Sequence, residues 1–298
     1  MAENSGIEWT HHTFNPWIGC TKVSPACDHC YAEAWDKRFG GERWGPHAPR
    51  TRTKTWGNPV KWNKALEGTG RRERVFCASL ADVFDNHKSI EDAWRRELWD
   101  LIRRTPNLDW LLLTKRPQNI ERYLPDDWKS KDQSENGWGY RNVWLGTTVE
   151  NQTEANRRVP ALLEVAAQVH FLSCEPLTGP VDLTTIPYGG NNYFLDALRG
   201  KVWMPEGSND LTPGHLHDGR EYVMLRRYLN WVITGGESGR NFRPADPNWF
   251  RSLRDQCAAV NKPFLFKQWE GRTQKEIKAL GRELDGVVHD AYPTPCSR

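Results

Sequence analysis

Cys20, Cys27 and Cys30 lie within the stretch NPWIGCTKVSPACDHCYAEAW, spaced C-x6-C-x2-C, with Tyr31 directly after the third. Thiols this close suit a metal centre. Two thiolates three residues apart can share one centre, and a third can reach it from the preceding loop. Zinc is one candidate, because Cys3His is a common structural set and His11, His12 and His29 lie nearby. However, no second ligand pair follows at finger-like spacing. His29 also sits inside the C-x2-C step, where its side chain tends to point away from a shared metal. An iron–sulfur cluster is the other candidate, since three Cys ligands would leave one iron open to a substrate or cofactor.

The chain that must position these thiols has 298 residues, enough for one large α/β domain or two ordinary ones. Its mean hydropathy of -0.77 and hydrophobic fraction of 38% fit a polar-surfaced soluble protein. No apolar run approaches the roughly 18–20 residues that span a bilayer, and MAENSGIEWT lacks a signal-peptide core. The expectation is a cytoplasmic protein with no membrane association. Seven cysteines in a reducing compartment argue against a disulfide framework. Cys77, Cys174 and Cys257 lie in apolar surroundings and read as core thiols, and Cys296 lies in a frayed tail.

Six short apolar runs end abruptly in polar or Gly-rich residues: RVFCASLADVF, DWLLLTKRP, NVWLGTTVEN, VHFLSCEPL, NWVITGGESG and PFLFKQWEG. Near-continuous hydrophobicity at strand length predicts parallel strands buried on both faces. GIEWT predicts a further strand before them. Helical patterns lie between several runs. In SIEDAWRRELWDLIRR one face carries Ile90, Trp94, Leu98, Leu101 and Ile102, with Ser89 and Asp92 as a variant capping box. In DPNWFRSLRDQCAAV, Asp246 can cap, Pro247 suits the first position, and Phe250, Leu253, Cys257 and Val260 form the stripe. Residues 150–168 also read as helical, with Pro160 breaking or kinking them. The resulting expectation is a single α/β domain over residues 1–298. It has a parallel (β/α) sheet forming a partial or TIM-like barrel, the cysteine loop after the first strand, a basic loop insertion at about 40–72 and a second insertion at about 184–230.

Such folds bind ligands at the carboxyl ends of their strands. The polar residues there form the candidate site: Ser79 and Asp82, Thr114 and Lys115, Thr147 and Glu150, Glu175, Gly235 to Ser238, and Lys267 with Gln268. In TGGESG the glycines allow close backbone approach and Glu237 can grip an amine or hydroxyl, although a plain tight turn explains the glycines equally well. The charge is uneven. Residues 37–74 hold eleven Lys and Arg against three acids, while the whole chain is +3. Trp56 and Trp62 interleave there with Arg50, Arg52, Lys54, Lys61 and Lys64. Cations for phosphates alternating with rings for bases predict a nucleic-acid surface, and the alternative is a solvated basic loop over packed tryptophans.

As a whole the chain resembles the radical S-adenosylmethionine superfamily. There, three cysteines on the loop after the first strand hold a [4Fe–4S] cluster and an aromatic residue follows the third. The first gap here is six residues rather than that superfamily's usual three. More closely, the chain looks like the phage and bacterial three-Cys-motif proteins, through FNPWIGC, CDHCYA, LLLTKRP, NVWLGTTVENQ, FLSCEPLTGP, WVITGGESGRNFRP and PFLFKQW, which span residues 7 to about 270. The resemblance implies Cys20, Cys27 and Cys30 as cluster ligands. It also implies reductive cleavage of S-adenosylmethionine to methionine and a 5′-deoxyadenosyl radical, with an external electron donor, and a partner protein encoded nearby. On position, Ser79, Thr147, Glu175, Glu237 and Lys115 are expected to bind that cofactor, and Glu237 and Lys267 to serve the chemistry. Arg240, Lys54, Trp56 and Lys61 are expected to meet the substrate. A nucleic-acid base or nucleotide is the leading substrate class. The alternatives are a peptide or small metabolite, or a zinc-stapled nucleic-acid-binding protein without catalysis.

Overall fold

All six apolar runs form strands. The computed structural model describes residues 3–130, 139–189, 192–204, 216–217, 220–225 and 227–294. Strands β1 (His12–Thr13), β2 (Glu73–Cys77), β3 (Leu108–Thr114), β4 (Val143–Thr148), β5 (Val169–Cys174), β6 (Trp231–Thr234) and β7 (Phe264–Phe266) make one seven-stranded sheet in strictly sequential order. Pairing is parallel between β1 and β2, β2 and β3, β3 and β4, β5 and β6, and β6 and β7. β4 and β5 are buried at every position, in keeping with their near-continuous apolar character. A sequential order steps each crossover in the same direction, which is the winding of a (β/α) barrel rather than of a sheet that reverses at a switch point.

Two compact units divide the chain: Met1–Thr148 with Val165–Val169 and Pro295–Arg298, and Val149–Glu164 with His170–Thr294. Among the described residues no helix is long and apolar enough to cross a membrane. Cys296 lies outside the described residues.

Several elements depart from the sequence expectation, each for a local reason. GIEWT is not a strand: Thr10 N donates to Ile7 O at 3.1 Å, closing a turn, and the first strand begins at His12. The helix Asp92–Arg104 starts from Glu91 without a side-chain cap. Ser89 is recruited elsewhere, its hydroxyl accepting from Arg50 N at 2.8 Å. The helix Gln152–Leu163 runs through Pro160, carried by the buried Ala155, Val159, Leu162 and Leu163 rather than by an unbroken ladder. Tertiary burial outweighs local propensity here. The basic stretch is not all loop: Thr51–Arg52 pairs with Trp17–Ile18, and Asn58–Ala65 is helical. The second insertion contains a five-stranded antiparallel sheet built from Ile186–Pro187, Phe194–Asp196, Lys201–Trp203, Leu216–His217 and Arg220–Met224. Part of that insertion lies outside the described residues.

Two caps follow sequence chemistry. Asp246 accepts from Asn248 N, ahead of Pro247. The Asn151 side chain accepts from Glu154 N at 3.1 Å, at the start of the helix after β4. Asn151→Ala should cost about 1 kcal/mol by removing that acceptor. A urea midpoint indistinguishable from the parent would show the cap to be idle.

Candidate functional site

In the first unit the cysteine loop is tied across the carboxyl ends of β1 and β2. Asn15, fully buried just beyond β1, accepts from Leu80 N at 2.6 Å and donates from Nδ2 to Ser79 Oγ at 3.0 Å. Gly19 N donates to Leu80 O at 3.0 Å, and Gly19 bridges Ala81. Gly19 has φ +117°, and a Cβ there would lie 2.5 Å from Arg43 O, so a side chain is excluded. Cys20 then bridges Trp44. Cys27 ends a 3-10 turn, and Cys30 is the N-cap of helix α1 (Tyr31–Arg38). The Tyr31 hydroxyl returns to Ser79 O at 2.7 Å and pins the far end of the loop to β2.

Beneath the loop lies a buried charge network that the sequence did not announce. Arg116, after β3, donates from Nη1 to Asp82 Oδ2 at 2.9 Å and to Cys20 Sγ at 3.6 Å, and from Nη2 to Thr21 O at 2.8 Å. Asp82 is held in turn by the Thr114 hydroxyl at 2.7 Å and by Lys115 N at 3.1 Å. Arg50, whose side chain has no exposure, pairs with Asp85 at 2.9 Å and donates to Thr21 Oγ1 at 2.6 Å. It also meets the carbonyls of Gly45 and Ala48 at 3.0 and 2.6 Å. Two guanidiniums therefore grip the residue next to Cys20. Burial pushes the Cys20 thiol up to about 11, helped by Asp82 and Asp85 and opposed by Arg116. Cys77, Cys174 and Cys257 are fully buried, and burial raises their thiols too, as expected of core residues.

Two of the three histidines near the thiols have partners of their own. His11 Nδ1 accepts from Arg74 N at 2.8 Å. His12 lies 2.7 Å from Glu73 and stacks on Trp62 at 4.2 Å. A single zinc would draw sulfur ligands to about 3.8 Å of each other, given Zn–S bonds of about 2.3 Å in tetrahedral geometry. Among the described residues no group of three or more His, Cys, Asp or Glu side chains is gathered to hold a metal ion.

The other predicted residues of this unit have specific places. Ser79 joins the loops after β1 and β2 through both its hydroxyl and its carbonyl. Thr147 is fully buried and donates its hydroxyl to Thr114 O at 2.8 Å, joining neighbouring strands. Lys115 is half-buried. Lys54 and Lys61 are exposed. Trp56 and Trp62 are packed beneath them, Trp56 edge-on to Phe14 and covered by Arg52 at 4.5 Å. The rings expected to meet bases therefore belong to the core.

In the second unit, the strand ends bring Glu175 and Lys267 together at 3.1 Å, with Ser173 donating to the other Glu175 oxygen at 3.2 Å. A Cβ on Gly236 would fall 2.3 Å from Glu270 N, so this glycine is required by the neighbouring loop. Glu237 does not join that pair. Arg243 takes both its oxygens, at 2.6 Å from Nη2 and 2.9 Å from Nε, closing the TGGESG loop on itself. Arg240 is exposed. Glu150, buried in the same unit, is bound by Arg158 at 2.8 Å.

Asn15, Asp85 and Arg116 escape sequence reasoning because their partners lie tens of residues away, and Arg50, expected on a basic surface, is instead buried against Asp85. The only local hint is that Asp82 and Asp85 flank the apolar Val83 and Phe84 immediately after a strand. No curated protein and no solved structure matches the chain. A family model described as a protein of unknown function, DUF5131, matches residues 4–293, so the chain belongs to that family.

Proposed function

We propose that this protein is a radical S-adenosylmethionine enzyme acting on a nucleic-acid base or nucleotide, with Cys20, Cys27 and Cys30 holding a [4Fe–4S] cluster. The observation that carries this reading is a loop bearing three thiols, tied by Asn15, Gly19 and Tyr31 over the carboxyl ends of parallel strands β1 and β2. The donor set suits the cluster. Three thiolates bring three negative charges, which Arg116 at Cys20, working against burial, Asp82 and Asp85, and the positive end of α1 at Cys30 partly offset. The engagement of His11 and His12 by Arg74 and Glu73 takes two of the three nearby imidazoles out of a Cys3His zinc set, and His29 sits inside the C-x2-C step. When bound, a cluster with an open iron supplies reductive cleavage of S-adenosylmethionine, and thereby hydrogen abstraction from an unactivated carbon.

The chain's own contribution is placement and charge. Arg116, itself fixed by Asp82, holds Thr21 and meets Cys20, so one cation orients the loop and offsets its thiolate. Lys115, half-buried at the end of β3, is the cation nearest in sequence to that network and suits a carboxylate or phosphate. The exposed Lys54 and Lys61 support a phosphate-bearing substrate through charge alone.

Anaerobically reconstituted protein should be brown, carry about four irons per chain, and release 5′-deoxyadenosine with reductant and S-adenosylmethionine. A colourless protein binding one zinc and no iron would replace this reading with that of a stapled binding module.

A further inference from the structure

Trp56 and Trp62 of the basic segment are buried, whereas helix α1 presents aromatic rings to solvent. Tyr31, Trp35 and Phe39 are 55%, 39% and 66% exposed. They recur every four residues on and just beyond α1, so they line one face of it. The stripe starts at the residue after Cys30, and its first ring is fixed by the Tyr31 bond to Ser79 O. Trp35 and Phe39 touch at 5.0 Å with planes tilted by 49°, so neither ring face is covered by the other.

The charges on the same helix are sorted. Its acids turn inward: Asp36 is 1% exposed and bound by Arg43, and Glu33 sits at 16% exposure between Lys22 and Lys37. Its cations turn outward, with Lys37 at 70% exposure and Arg38 exposed beside it. The outer surface of α1 is therefore aromatic and cationic.

We propose that this face is a track for single-stranded nucleic acid, running outward from the cysteine loop. Rings accept bases of any sequence while neighbouring cations follow the phosphates. Four residues of helix advance about 6 Å, further than the roughly 3.4 Å between stacked bases of a duplex strand. Bases would therefore have to be splayed apart to meet successive rings, which an unpaired strand permits. A second copy of this chain fits less well. Three rings of about 200 Å² each, roughly half exposed, leave on the order of 300 Å² open, whereas a stable interface covers about 800 Å² per partner. This deepens the nucleic-acid half of the proposed function and is independent of the cluster.

The test is fluorescence anisotropy with a labelled thymidine dodecamer and a duplex of equal length, across a salt series. The single strand should bind more tightly. Trp35→Ala and Phe39→Ala should each weaken it by about fivefold or more, and Trp35→Phe should retain most of the affinity. Lys37→Glu combined with Arg38→Glu should flatten the salt dependence. All four variants should keep the parental melting temperature, because these side chains are exposed. They should also keep 5′-deoxyadenosine release without nucleic acid, so failure of the track and failure of the cluster reading are separable. Unchanged affinity in both alanine variants overturns the inference, as does preference for the duplex. Sedimentation showing a parental dimer that Trp35→Ala dissolves would assign the face to a second copy instead.

Discussion

Cys20→Ala, Cys27→Ala and Cys30→Ala, made singly, should each lower 5′-deoxyadenosine release by about two orders of magnitude or more and strip most of the iron. Cys257→Ala should leave both unchanged. The contrast is between roles rather than between residue types. The first three thiols sit on one loop held over strand ends, and under the proposed assignment a cluster with three such ligands keeps one open iron, so removing any of them leaves too few. Cys257 is fully buried in the helix Pro247–Ala258, and its loss creates only a small void costing about 1 kcal/mol. Iron content per chain and product release, measured together, separate loss of the centre from loss of the fold. Full iron retention in any of the three loop variants would sink the assignment of that thiol.

The second large effect concerns stability. Arg50→Met should destabilise the protein by about 3 kcal/mol, because it takes the nearer of two cations from Asp85, which is 2% exposed, and leaves only Arg116 at 3.8 Å. The same change removes donors from the carbonyls of Gly45 and Ala48 and from Thr21 Oγ1. Those groups hold the segment from Arg43 to Arg50 against the residue following Cys20. Adding Asp85→Leu to Arg50→Met should recover part of the loss, since a buried pair removed together costs less than one partner left alone. Urea denaturation of the iron-free protein is the measurement. A loss below about 1 kcal/mol for Arg50→Met would mean that Arg116 or water satisfies Asp85 and that the Arg50 guanidinium is not the staple.

Prediction from sequence succeeds here where one residue type answers to one local physical demand. A strand buried on both faces is largely apolar rather than alternating, so VHFLSC and NVWLGTT are recognisable wherever they pack. Asp246 followed by Pro247 starts a helix through contacts within three residues. It misleads where a side chain has a choice of partners. Ser89 has a capping pattern, yet Arg50 N claims its hydroxyl from 39 residues away. Glu237 looks like a ligand grip, yet Arg243 fills both its oxygens. Trp56 and Trp62 alternate with cations along the chain, but alternation does not say which side of a helix or turn faces water.

The sequence by itself determined the α/β class, the six buried strands and the grouping of three thiols on one loop, because each depends on periodicity or spacing that a linear chain carries. Only the tertiary structure decided that Arg116 and Arg50 meet beside Cys20, that His11 and His12 are taken by Arg74 and Glu73, and that Tyr31, Trp35 and Phe39 share an open face. The physical reason is the range of the forces involved. Backbone preference and hydrophobic period act over a few neighbours, whereas a buried charge is stable only beside a counter-charge that folding brings from elsewhere in the chain.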